Sequence, residues 1–254
     1  MAPVAAAVLP HPPLLVSELA GEAAPELDPL RAACHHALAA VVAAADLVIL
    51  VGDGPMWGIP EAAAPGSFGP YGVDLQVTLP ALTDLDLSSL PAPARLPALP
   101  LSLAVAAHLL AGLDPPPVRL FAATVPASLG PGAAAAIGSA LTAATRDGSA
   151  GGGSVGLLAM ADLSACRTEW APGAFRAEAA DLDASVAEAL RAGKPGRLLD
   201  MDPAVAADLM VAGRAPLQVL AGAFEDEPTT IHGRVLYEDA PYGVGYLVAL
   251  LTAP

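Results

Sequence analysis

The sequence is poor in most of the residues that announce a function. It has one lysine, Lys194, against ten arginines, and no cluster of basic residues in 254 positions. With a formal net charge of −15, the chain repels phosphate backbones, so no nucleic-acid partner is expected. Cys34 and Cys166 lack CxxC spacing, which leaves a disulfide frame or a cysteine-based zinc site without support and predicts two buried thiols. Hydrophobic residues make up 55% of the chain, but they are largely alanine, and Pro, Gly, Asp or Arg interrupts every apolar stretch before the roughly 18 residues that a membrane span needs. The first nine residues carry no basic n-region, and their apolar run stops at Pro10-His11 instead of at a small-residue cleavage site; the expected compartment is the cytoplasm, with no membrane partner. No Gly-x-Gly-x-x-Gly or P-loop follows the first strand, so nucleotide binding has no motif behind it. Gly152-Gly153-Ser154-Val155-Gly156 has the letters of a hydrolase nucleophile elbow, but it precedes a strand where the elbow must follow one.

What is present reads as alternating strands and helices. Residues 4–9 form an apolar run short enough for a buried strand, and 26–44 carry helical spacing with Asp28 and Pro29 as cap and first turn. Leu47 to Val51 is a second strand, closed by Gly52-Asp53-Gly54-Pro55. Residues 55–75, rich in Gly and Pro with Trp57, Phe68 and Tyr71, predict an ordered excursion over the sheet edge, and the proline-rich stretch 80–100 predicts a long ordered loop. Further along, 101–113 and 132–144 predict helices, 118–125 and 155–161 strands, and 146–154 surface disorder. Helices are expected over 174–192 and 203–223, and a closing strand pair over 231–236 and 246–251. The tetrapeptide Pro-Tyr-Gly-Val occurs at 70–73 and 241–244 without a repeating frame, which reads as two similar turns. The expected fold is a single α/β domain, 1–254, with a mostly parallel central sheet flanked by helices and its site at the strand ends.

His11 is the leading candidate functional residue. Pro10, Pro12 and Pro13 hold it in a stiff extended turn, preorganised as a ligand, although the same run could merely end a strand. Asp53 and Asp162 stand at two other strand ends and could approach His11 over a parallel sheet, with Asp162 the candidate catalytic carboxylate. The other histidines are less telling. His35 and His36 point about 100° apart on one helix, so at least one is solvated. His108 lies in an apolar helix where packing explains it, and His232 sits at a strand start beside Glu227, Thr229 and Thr230, where an exposed edge position serves as well.

Taken in order, Pro10-His11-Pro12-Pro13, the strand with Gly52-Asp53-Gly54, Ala161-Asp162-Leu163-Ser164 with Ala171-Pro172-Gly173, and Ala212-Gly213 with 217–223 resemble the class III extradiol ring-cleavage dioxygenases, the LigB-type superfamily. The resemblance implies Fe(II) on two histidines and a glutamate, a catechol chelating the metal, and a further histidine as acid/base. Carried over, His11 matches the first ligand. The second ligand position falls at Asp53-Gly54, the acid/base position on Ala165, and the glutamate near Val211, with Asp208 the only close carboxylate. An alanine cannot move a proton, and a general acid/base is worth about 10²- to 10⁴-fold in rate. His11, Asp53 and Asp208 together could hold a hard divalent ion. Two readings stay open: a diverged metal-dependent oxidoreductase on an aromatic or other small molecule, with Fe(II) or another divalent metal, or a binding or partner subunit that lost the iron site and needs no cofactor. The resemblance also implies dimers or hetero-complexes, with a homodimer as one assembly.

Overall fold

The computed structural model describes residues 2–114, 119–145, 153–225 and 230–253. The chain opens with β1 (Ala5–Leu9), the short α1 (Ser17–Ala20), α2 (Asp28–Ala44) and β2 (Leu47–Asp53). Four three-residue strands follow: β3 (Gly58–Pro60), β4 (Pro65–Ser67), β5 (Gln76–Thr78) and β6 (Ala94–Leu96). Then come α3 (Leu101–Ala111), β7 (Leu120–Val125), α4 (Pro131–Ala143) and β8 (Val155–Met160). The last part holds α5 (Glu178–Arg191), α6 (Pro203–Asp208), α7 (Arg214–Ala223), β9 (His232–Asp239) and β10 (Tyr246–Thr252).

Among the described residues, eight strands form one sheet in the order β6-β3-β7-β2-β8-β1-β10-β9, and β4 with β5 forms a separate pair. The central run β7, β2, β8 and β1 is parallel, while β10 turns antiparallel to β1 and pairs with β9 as the closing hairpin. The result is the α/β class expected, a mostly parallel sheet with helices on its faces.

The central strands are unbroken apolar runs because both of their faces are covered. Along β1, Ala5, Ala7 and Leu9 join the core under α2 and α3, whereas Ala6 and Val8 join the core under α5 and α7. Leu47, Ile49 and Val51 of β2 face a third apolar cluster with α4. Glycine lets two helices come very close there: a Cβ on Gly138 of α4 would strike the backbone of Val219 and Ala223, and one on Gly222 of α7 that of Ala135. Cys34 and Cys166 are free and buried, as expected.

Several details differ from the sequence reading. Asp28 does not cap α2; it is the first helical residue, pairs with Arg31, and leaves the capping position to Leu27. The loop expected over 80–100 contains β6, which pairs with β3, so the proline-rich stretch contributes an edge to the main sheet. The helix expected over 203–223 is broken between Asp208 and Arg214, where Met210 takes a positive φ of 53°. Of the disorder expected over 146–154, residues 146–152 lie outside the described residues, as do Val118, Glu227 and Thr229, whereas Ser154 is held in place by hydrogen bonds with Asp46.

Candidate functional site

Three adjacent strands, β2, β8 and β1, end at one edge of the sheet, and each delivers one polar side chain there. This is where ligands bind in open parallel sheets. His11 follows β1 by two residues, Asp53 closes β2, and Asp162 follows β8 by two residues. The structure brings the three together. His11 Nε2 lies 3.0 Å from Asp53 Oδ1, and the His11 backbone N–H donates to Asp162 Oδ1 at 2.7 Å. His11 Nδ1 is 3.9 Å from the same Asp162 oxygen, beyond hydrogen-bond reach, and is buried without a partner. The residue is only 3% exposed.

Each carboxylate is positioned by its backbone. The Asp53 carbonyl accepts a hydrogen bond from Ser102 Oγ at 2.6 Å, which ties the end of β2 to the first turn of α3. Gly54 then donates to the Val125 carbonyl, and a Cβ there would lie 2.7 Å from that of Thr124, so only glycine lets the chain pass this close. Around Asp162 the clamp is tighter. Ala161 donates to the Leu9 carbonyl, Leu163 to that of Gly245, and Gly213 to that of Asp162 itself. Ser164 N–H donates to Asp183 Oδ1 at 3.0 Å, and the other Asp183 oxygen accepts from Arg167 Nη1 at 2.7 Å. Thus the Asp-Leu-Ser segment is fixed from β1, α5, the α6–α7 turn and the turn before β10.

The electrostatics follow from burial. Burial alone would push the His11 imidazole down, but the carboxylates of Asp162 and Asp53 outweigh it and hold its pKa above the ordinary histidine value. Burial lifts the Asp162 carboxyl above the usual range, against the pull of His11. That same carboxylate reaches its neighbours: burial and the Asp162 charge push the Cys34 thiol up to about 12, and burial followed by that charge raises the Tyr246 phenol. At the site, then, is a buried imidazole between two carboxylates, of which Asp53 is open to solvent, its side chain 34% exposed.

Asp208 does not join it. It is exposed on the last turn of α6 and makes no hydrogen bond or ion pair with His11, Asp53 or Asp162. At the other positions where the LigB-type resemblance implies site residues, Ala165 has no proton to give and Val211 is a buried apolar side chain. Among the described residues, no group of three or more His, Cys, Asp and Glu side chains is arranged to hold a metal ion. An iron site of two histidines and a carboxylate therefore does not fit the residues present. The remaining histidines stand apart: His36 and His232 are exposed, and His108 packs edge-on against Phe68 with ring centroids 6.2 Å apart. Ser102 and Asp183, which position Asp53 and the Asp162 segment, carried no sequence signal; one is a serine in an apolar helix and the other one of several acidic residues in an amphipathic helix.

These features define a mixed α/β protein with a polar site at the carboxyl ends of a parallel sheet. The solved structure of the uncharacterized protein JW3007 from Escherichia coli K12 is similar, with a TM-score of 0.64 at 15% identity over 97% of this chain and 99% of that one. At that identity the likeness is one of fold. No protein-family model matches the sequence, and neither does any curated protein. Among the described residues, no helix is long and apolar enough to cross a membrane.

Proposed function

We propose that this chain is a cytoplasmic small-molecule-binding protein, a diverged relative of the class III extradiol dioxygenases, in which a fixed imidazole between two carboxylates stands where the family keeps iron. The observation that carries this reading is the 3.0 Å contact between His11 Nε2 and Asp53 Oδ1, made by a ring that is almost wholly buried. The nitrogen that would face a metal is already engaged by a carboxylate. The carboxylates of Asp162 and Asp53 outweigh burial and hold the His11 pKa above the ordinary histidine value, which favours a proton over a metal ion on this ring. Ala165 supports the same reading, because acid/base help with ring cleavage has no donor at that position.

The rival reading, a metal-dependent oxidoreductase on an aromatic or other small molecule, draws on the same distance. Two donors about 2.1 Å from one divalent ion, at right angles to each other, lie about 3 Å apart. Anaerobic titration of Fe(II) and Mn(II) into metal-stripped protein, followed by calorimetry, separates the two. The binding-protein reading expects no stoichiometric metal uptake and a His11 ring that stays doubly protonated past pH 6.5 by ¹⁵N NMR. Stoichiometric uptake that disappears in His11→Gln would overturn it in favour of a metalloenzyme, and oxygen uptake with catechols would then be the next assay.

A further inference from the structure

The main sheet stops at β9, which pairs with β10 on one side only. Among the described residues, no backbone hydrogen bond leaves its outer side. An uncovered edge of this kind is a template for another strand. The side chains along it fall on the two faces of the sheet in an order set by a bulge at Leu236, the residue that the register with β10 skips between Val235 and Tyr237. Leu236 and Tyr237 both pack on the core under α2, and Arg234 and Asp239 share that face, opposite Leu250 and Tyr246 of the same core. Val235 and Glu238 take the other face, the first against the core under α5 and the second paired with Arg191 of α5 at 2.8 Å.

From the midpoint between Leu236 and Tyr237 outward, this order is the same in both directions. If β9 meets its own reverse about that midpoint, Leu236 stands opposite Tyr237 of the second copy, Val235 opposite Glu238 and Arg234 opposite Asp239, and every pair shares a face. A slip of one or two residues either way sets an α2-face side chain against an α5-face one, so the bulge leaves a single matched register. The same register matches charge. Arg234 and Asp239 are exposed, and neither makes an ion pair among the described residues. The two-fold brings them together twice, as cross-strand pairs of opposite sign. Beside the edge lies a groove of about 300 Å³ between α2 and β9, whose polar lining is His36 and Arg234 with no carboxylate. On a chain of net charge −15, a basic groove at the rim of an open strand suits the Asp239 carboxylate of a second copy.

We propose that β9 is the interface of a two-fold dimer, in which it pairs antiparallel with β9 of a second copy of this chain about a centre between Leu236 and Tyr237, so that two sheets become one. Sedimentation velocity on the full chain tests it at about 0.15 M salt, where the general repulsion between acidic chains is screened beyond roughly 8 Å. A dimer is expected at about 50 μM. Arg234→Asp sets aspartate against Asp239, and Asp239→Arg sets arginine against Arg234, twice each by symmetry. The dissociation constant of either variant should rise about 100-fold, tenfold for each like-charged pair. Mixed in equal amounts, the two variants carry opposite charges at both contacts and should dimerise again, as should the double variant. That rescue separates a lost interface from a lost fold. The proposal is overturned if the unaltered chain stays monomeric at about 200 μM. It is equally overturned by a dimer indifferent to both variants, which would lie on another face, or by a mixture of the two that stays monomeric.

Discussion

Removing the His11 ring is the sharpest perturbation available, because it deletes the one basic group that acts on a buried carboxylate. In His11→Ala, Asp162 keeps its burial and loses its counter-charge, and Asp53 loses its contact at 3.0 Å. Breaking a buried pair by deleting one partner costs about 3–5 kcal/mol. With an m-value of about 3 kcal/mol per molar urea, the midpoint would fall by about 1–1.7 M at pH 6.5. The cost depends on pH, and its sign can be worked out. Both His11 and Asp162 have folded-state pKa values above their unfolded ones. The stabilisation from His11 is therefore fully present below about pH 6.5 and is lost as pH rises through its raised folded value. Below about pH 4, Asp162 is protonated in the native and unfolded chain alike, so the variant forfeits only packing there. The penalty should thus be largest near pH 6.5 and smaller on both sides. Urea titrations at about pH 4, 6.5 and 9 read this directly. A loss below about 1 kcal/mol at pH 6.5, or the same loss at all three pH values, would refute the ion-pair account.

Other expectations follow from the packing and the loop clamps. Gly222→Ala places a methyl group on the backbone of Ala135 at the α4–α7 crossing, and should lower stability by about 1–3 kcal/mol in thermal or urea unfolding; a change within 0.5 kcal/mol would sink the close-approach argument. Asp183→Ala leaves the Ser164 N–H and the Arg167 guanidinium unpaired and should cost about 2–4 kcal/mol. Hydrogen exchange should then accelerate at Leu163 and Ser164 more than in β1. Cys34, buried and pushed up to about 12, should resist a disulfide thiol reagent at pH 8 in the folded protein and react in urea; prompt reaction in the native state would contradict its placement.

The long strands were legible in the sequence because both of their faces are buried, which turns β1, β2 and β8 into short continuous apolar runs. The three strand-end residues could be named for the same reason: a parallel sheet gathers the residues that follow its strands. The short strands β3 to β6 were hidden, since three residues are too few to show a period and proline reads as loop. Met210 takes its positive φ where no glycine stands, and Gly213 before α7 was a local sign of a break in the expected 203–223 helix. Asp208 was named for its position relative to Ala212-Gly213, and the break is what leaves it exposed at the end of α6. Asp183 and Ser102 act across 19 and 49 residues of sequence, from helix positions whose partners exist only once the sheet has formed.

The place of β1 in the sheet also sets an order of events during synthesis. The first strand to emerge lies between β8 and β10, so its two neighbours arrive roughly 150 and 240 residues later. Until then Ala6 and Val8 have no sheet to belong to, and the His11 turn has nothing to clamp it. Such distant pairings make folding slow and leave an apolar edge open to other chains. A nascent chain stopped before Tyr246 would present β1 with one edge bare, so β10 completes the pairing of β1 and also withdraws that open edge from its surroundings.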